Sequence, residues 1–295
     1  MKFISYKIND SINYGILKDK EVFKLNCDNF NDIIKDYYSN SLKIDSKGIE
    51  LSSVQLLSPI MNPKSLRDAY AFRQHVEAGR KSRGLEMIKE YDEFPVYYYS
   101  NHNAIKGPGE IQVQAIHQKK LDFELEIAVV IGKEGHNISV NQADEYIFGY
   151  TIMNDFSARY IQKQEMKLSL GPVKGKDFAT SLGPYIITVD ELESERITSS
   201  NGNRYNLEMK GYHNNKLVSK DNFKNMTWTF AQIISRISNG VTIYPGDIIG
   251  SGTCSTGCFL ELNQTNKTNI WLEDGYKINL EIDLLGSLIN TIAYK

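Results

Sequence analysis

The chain has 295 residues, and 34 Lys plus Arg stand against 36 Asp plus Glu for a formal net charge of −2. That near balance argues against nucleic acid or an anionic membrane as the main partner, since both reward a basic excess. With 41% hydrophobic and 24% charged residues the chain can bury a sizeable core, and no apolar run approaches the ~20 residues that span a bilayer.

Lys2 to Ile8 alternates polar and apolar, which predicts a strand and lacks the apolar stretch of a signal peptide. The cluster Asn9-Asp10-Ser11 predicts a turn, Tyr14 to Leu25 further short strands, and Asp32 to Tyr38 a short helix. Pro59 and Asn62-Pro63 then punctuate the chain. They place a boundary between a small β-rich N-terminal domain, residues 1–60, and a larger domain, residues 61–295. Ala69 to Lys81 reads as a helix, Ile127 to Ile131 as a buried strand ending at Gly132, and Tyr185 to Val189 as another. Phe230, Ile233, Ile234 and Ile237 recur at helical spacing, so Thr229 to Ser238 is predicted helical, with Thr227 or Thr229 as cap and Gly240 as stop. Leu272 to Asp283 alternates around Glu273-Asp274-Gly275, a hairpin signal. The fold class expected is α+β, strand-dominated, with helices packed outside the sheets. Three cysteines (Cys27, Cys254, Cys258) cannot build a disulfide framework, so a reducing cytoplasm is the expected compartment.

The stretch Leu121-Asp122-Phe123-Glu124-Leu125-Glu126-Ile127-Ala128 carries the most chemistry. On a strand, alternate side chains share a face, so Asp122, Glu124 and Glu126 line one side, about 6.5–7 Å apart in steps of two residues. One reading is a solvated face balanced by lysines. The other is a divalent cation held by hard oxygen ligands. Asp155, where an apolar strand ends in Asn-Asp, is either a cap of the following turn or a further ligand. Asp68 and His75 lie seven apart in Leu66 to His75, and share a face if that segment is helical. His75 is then either an exposed helix histidine or a functional one.

Taken together, these segments resemble the fumarylacetoacetate hydrolase family from about Leu66 to Ala293. The matching blocks are Arg73-Gln74-His75, Asp122-Phe123-Glu124-Leu125-Glu126, Met153 to Arg159, Lys174-Gly175-Lys176-Asp177, Gly246 to Thr253, and Phe259-Leu260-Glu261-Leu262. The resemblance implies a mixed β-sandwich roll, a homodimer, and one divalent cation, Mg2+ foremost with Ca2+ or Mn2+ as alternatives. By position, Asp68, Glu124, Glu126 and Asp155 match the metal ligands, an all-oxygen set that favours those ions over zinc. The implied activity is metal-dependent hydrolysis of a C–C bond in a small-molecule dicarbonyl acid, fumarylacetoacetate or an acylpyruvate.

In that reading His75 activates water, because an imidazole with an unperturbed pKa of about 6.5 suits the task, and Glu261 orients it. Lys176 and Gln162 match the oxyanion-stabilising positions, Arg159 the position that holds substrate oxygens, and Tyr98 and Thr253 further substrate contacts. The sequence departs from the longer eukaryotic-type hydrolases in its short N-terminal region and in Met166, where that type has a substrate-contacting tyrosine. The compact decarboxylase type pairs its histidine with a glutamate three residues on, where this chain has Ala78. A hydratase or decarboxylase on the same scaffold, and a catalytically silent binding protein, are the alternatives.

Overall fold

The alternating start of the chain forms β1 (Lys2–Ile8), which pairs antiparallel with β2 (Ser11–Lys18); β3 (Glu21–Leu25) and helix α1 (Phe30–Tyr38) follow. The computed structural model describes residues 1–295. Next come β4 (Leu66–Ala69), α2 (Arg73–Lys81), β5 (Tyr97–Ser100) and β6 (Gly109–Val113). The middle of the chain supplies β7 (Leu125–Ile131), β8 (Ile147–Asp155), α3 (Arg159–Glu165) and β9 (Thr180–Thr188). After these lie β10 (Glu208–His213), β11 (Lys216–Asn222) and α4 (Phe230–Ser238). The last principal elements are β12 (Ile248–Gly250), α5 (Phe259–Asn266), β13 (Lys277–Ile282) and β14 (Gly286–Tyr294).

One large mixed sheet runs in the order β3–β2–β1–β9–β8–β7–β12–β4–β5, with shorter strands at its margins. A second sheet runs β11–β10–β13–β14–β6. Lys2 of β1 pairs with Ile187 of β9, so the N-terminal strands extend the large sheet.

Strand β7 explains the layering. Ile127, Val129 and Ile131 face a core shared with Met209, Leu280 and Leu288 of the second sheet and with α4, whereas Ala128 and Val130 face a smaller core closed by Phe30, Ile33 and Ile34 of α1. A strand covered on both faces reads as an unbroken apolar run, which is why Ile127 to Ile131 shows no alternation. Helix α4 buries the four residues its periodicity marked, and Thr229 caps it in a reciprocal box with Gln232.

Two elements differ from expectation. The helix expected over Ala69 to Lys81 begins only at Arg73, and Leu66–Ala69 is a strand. Strand β4 slots between β12, parallel, and β5, antiparallel, so its backbone groups are satisfied in the sheet despite helix-favouring composition. Asp68 and His75 therefore do not share a helix face. The Glu273-Asp274-Gly275 turn exists, but it feeds β13 from Leu272, which bridges to Leu121; the hairpin is instead β13–β14.

Candidate active site

Three neighbouring regions of the large sheet deliver carboxylates to one place. Asp155 ends β8, Glu126 lies in β7 and Asp68 lies in β4. One carboxylate oxygen from each lies within 4.8 Å of the other two, and all three residues are buried. Strand β12 runs between β7 and β4, and its Gly250 pairs with both Ala128 and Asp68. A Cβ at Gly250 would collide with Asp68 Oδ1 and the Met153 side chain, so a bare glycine lets the carboxylates approach across that strand. The next glycine, Gly252, sits at φ 75° and donates its N–H to Asp68 Oδ1 at 3.0 Å.

Burial and mutual repulsion act on this trio. The Asp68 carboxyl is pushed up to about 7, by burial first and by the Asp155 charge second. Glu126 is pushed well above the usual carboxylate range by burial and then by Asp68. Asp155 is raised by burial, against the pull of Lys176. Tyr98 of β5, paired with Asp68, donates its hydroxyl to Asp155 Oδ2 at 2.5 Å, and Thr180 donates to Oδ1 at 3.2 Å. The Asp155 side chain thus caps no turn. Thr253 Oγ1 lies 3.3 Å from Glu126 Oε1, while Glu126 Oε2 is buried with no partner. A buried carboxylate oxygen left orphaned is costly, and a cation among these three oxygens would satisfy it. The residues fit a hard divalent ion, with Mg2+, Ca2+ and Mn2+ all compatible.

Glu124 stands slightly apart. It accepts from Arg159 Nη2 at 2.7 Å and from Lys176 Nζ, and Lys176 Nζ also reaches Asp155 Oδ2 at 2.6 Å. Burial alone would raise the Glu124 carboxyl, but Lys176, Arg159 and His75 outweigh it and hold the group well below its ordinary value. Of the four ligands expected, the structure therefore gathers Asp68, Glu126 and Asp155, and leaves Glu124 drawn toward the two cations. Lys176 itself is raised above its ordinary value, since the attraction of Asp155 and Glu124 exceeds the burial penalty. The solvated-face reading of Asp122, Glu124 and Glu126 is overturned, because none is more than 4% exposed.

Helix α2 places His75 in its first turn and α5 places Glu261 in its own; the two helices pack together. His75 Nδ1 lies 3.2 Å from Glu261 Oε2, and Gln74 donates to Glu261 Oε1 at 3.3 Å. His75 is buried, with Nε2 4.0 Å from Glu124 Oε1 and Tyr70 edge-on to its ring. Gln162 lies on α3, where its Oε1 accepts from Arg159 Nη1 at 3.0 Å.

One structural role went unassigned in the sequence. Asp122 Oδ1 accepts from the Phe259 and Phe123 amides at 2.7 and 3.0 Å, and Oδ2 from Leu260 N–H and Arg159 Nε at 3.0 and 2.8 Å. This one fully buried side chain fastens both α5 and Arg159. The signal was its place in the carboxylate run. Tyr97 and Tyr98 are half-buried and Tyr99 is exposed, so the three tyrosines form an edge strand and not a core one.

The family model described as fumarylacetoacetate (FAA) hydrolase C-terminal matches residues 64–293. The chain belongs to the fumarylacetoacetate hydrolase family. Within it, the chain is 30% identical over 283 residues to a fumarylacetoacetase of Arabidopsis thaliana, covering 78% of this chain and 67% of that one. It is 31% identical over 247 residues to the oxaloacetate tautomerase YisK of Bacillus subtilis (strain 168), covering 82% and 74%. A solved fumarylacetoacetate hydrolase from the psychrophile Exiguobacterium antarcticum superposes with a TM-score of 0.80 over 100% of both chains, at 23% identity. The fumarylacetoacetate hydrolase fold is thus shown, and relatives in the family differ in activity. No helix of this member is long and apolar enough to cross a membrane.

Proposed function

We propose that this chain is a divalent-metal-dependent hydrolase that cleaves the C–C bond between the two carbonyls of a β-diketone acid, of the acylpyruvate or fumarylacetoacetate kind. The observation that carries this reading is the buried His75–Glu261 pair at 3.2 Å, set beside the carboxylate group. Asp68, Glu126 and Asp155, with Glu124 adjacent, would hold the cation. When bound, it supplies Lewis-acid polarisation of the substrate carbonyls.

Glu261 accepts from Nδ1–H and so presents Nε2 of His75 as the base. Water gives its proton to Nε2 while its oxygen bonds to one carbonyl carbon, and the neighbouring carboxylate favours the imidazolium that forms. Lys176 and the free amide N–H groups of Gln162 stabilise the oxyanion. The C–C bond then breaks, its electron pair leaves on carbon as an enolate, and that carbon takes up a proton to give the second acid. Arg159 holds substrate oxygens by its planar fork, and Tyr98 and Thr253 line the same place.

Incubation with acylpyruvates and fumarylacetoacetate, with Mg2+, Mn2+ or Ca2+ added, tests the reading by product analysis. Two acid products support it; loss of CO2 alone, or hydration alone, counts against it. Similarity to the Bacillus tautomerase favours a second reading on the same residues, proton transfer at the carbon beside the carbonyl of a 2-oxo acid with no C–C bond broken. Oxaloacetate keto–enol interconversion in the absence of any cleavage product would select it. Our reading also carries a homodimer in a reducing cytoplasm, in keeping with three unpaired thiols. Sedimentation showing a monomer at assay concentration would remove the dimer.

A further inference from the structure

A second set of side chains that could hold a metal ion lies against the first, with a different donor chemistry. Cys258, the residue before α5, places Sγ 4.0 Å from His75 Nδ1. Glu124 Oε1 lies 4.0 Å from Nε2 of the same ring. One ligand atom from each of His75, Glu124 and Cys258 lies within 4.8 Å of the other two, and all three side chains are buried. Donors on a tetrahedral ion with bonds of ~2.0–2.3 Å sit roughly 3.3–3.6 Å apart, so an ion held through a single His75 nitrogen would draw in donors now up to 4.8 Å apart by about 1 Å.

We propose that His75, Cys258 and Glu124 form a second site, for a thiophilic dication such as Zn2+ or Cd2+, whose occupancy removes His75 from its role as base. A thiolate, an imidazole and a carboxylate select a soft or borderline ion over Mg2+, whereas Asp68, Glu126 and Asp155 offer oxygen alone and select the reverse. Charge supports a second ion. Asp68, Asp122, Glu124, Glu126, Asp155 and Glu261 are six buried carboxylates against the two buried cations Arg159 and Lys176. One hard dication still leaves the fully ionised group two charges negative. Binding displaces the Cys258 thiol proton to buffer, and Glu124 exchanges part of its contact with Arg159 for the ion.

Inhibition rests on the proposed role of His75; binding does not, so the test reads binding. Cd2+ is titrated into protein held in saturating Mg2+, and the ultraviolet thiolate-to-cadmium charge-transfer band is followed. One equivalent should produce the band in the native chain and in C254S and C27S. It should be lost in C258S, and the H75N variant should bind at least tenfold more weakly. A band that persists in C258S, or none in the native chain, overturns the proposal. Should C258S fail to fold, cadmium-edge X-ray absorption of the native protein decides. One sulfur with nitrogen and oxygen neighbours is expected, and a shell without sulfur or with two sulfurs contradicts it. If the cadmium data hold while no diketone is cleaved, the site stands and the hydrolase reading falls.

Discussion

His75 Nδ1 and Glu261 Oε2 meet at 3.2 Å although 186 positions separate the residues, because α2 and α5 bring their first turns together. In the proposed mechanism the contact would fix the imidazole tautomer and supply a nearby negative charge, the two conditions for a base that must accept a proton and hold it through bond cleavage.

Replacing Glu261 by Gln tests that pairing with little change in volume. The amide oxygen can still accept from Nδ1–H, but the charge that favours the imidazolium is gone. The expected outcome is a fall in kcat of about 10²-fold or more with KM nearly unchanged, read from steady-state kinetics on an acylpyruvate. Full activity in E261Q would remove the pair from the mechanism.

Lys176 bonds both Glu124 and Asp155 while itself buried. Lys176→Met would leave the buried Asp155 carboxylate without its countercharge and Glu124 with Arg159 alone, and removing one partner of a buried pair costs about 3–5 kcal/mol. In chelator the variant should melt well below the native protein, and Mg2+ should recover more of the loss in the variant than in the native chain. Equal melting temperatures in chelator would show that the ammonium does not stabilise the carboxylates.

Asp122→Asn turns an amide NH2 toward amide or guanidinium donors that the carboxylate now satisfies at both oxygens. We expect a stability loss of about 1–3 kcal/mol together with a drop in kcat, since α5 carries Glu261 and Arg159 loses its anchor. Chemical denaturation and kinetics on the same preparation check both. Unchanged values in both would mean Asp122 positions nothing.

Because the Asp68 carboxyl is pushed up to about 7 from an ordinary 3.8, the metal-free fold binds a proton there that the unfolded chain releases. Stability from this group is fully present below the unfolded value of 3.8 and is lost progressively as pH rises from there through about 7, so the metal-free protein should weaken between about pH 4 and pH 7. Protons compete with the ion at the same oxygens. Mg2+ affinity should therefore fall by about tenfold per pH unit below 7, and the Mg2+-induced rise in melting temperature should be larger at pH 8 than at pH 6. Calorimetric titration at the two pH values measures it; equal affinities would contradict it.

Much of the architecture was legible wherever one local pattern decided the outcome. The i, i+3, i+4, i+7 spacing of Phe230 to Ile237 became α4, and the apolar run Ile127 to Ile131 became part of a doubly covered strand. Leu66–Ala69 misled because its strand state depends on β12 and β5, partners far off in sequence that no local window contains. The site was legible as residue types: the Asp122-Glu124-Glu126 run, Asp155, and family-like blocks around His75, Lys176 and Glu261. The division of labour among those carboxylates was not. Alternation placed Asp122, Glu124 and Glu126 on one equivalent face. In the fold Asp122 turns to the start of α5, Glu124 to Arg159 and Lys176, and Glu126 to Asp68. Those directions are set by countercharges from other elements, which spacing along one strand does not encode.

The most direct test of the central claim is product analysis of an acylpyruvate incubated with the native chain, once with Mg2+ and once with excess chelator. The account expects pyruvate and the second carboxylic acid in equal amounts with Mg2+, and neither above background with chelator. Interconversion of tautomers without either acid, or equal cleavage in chelator, would contradict it.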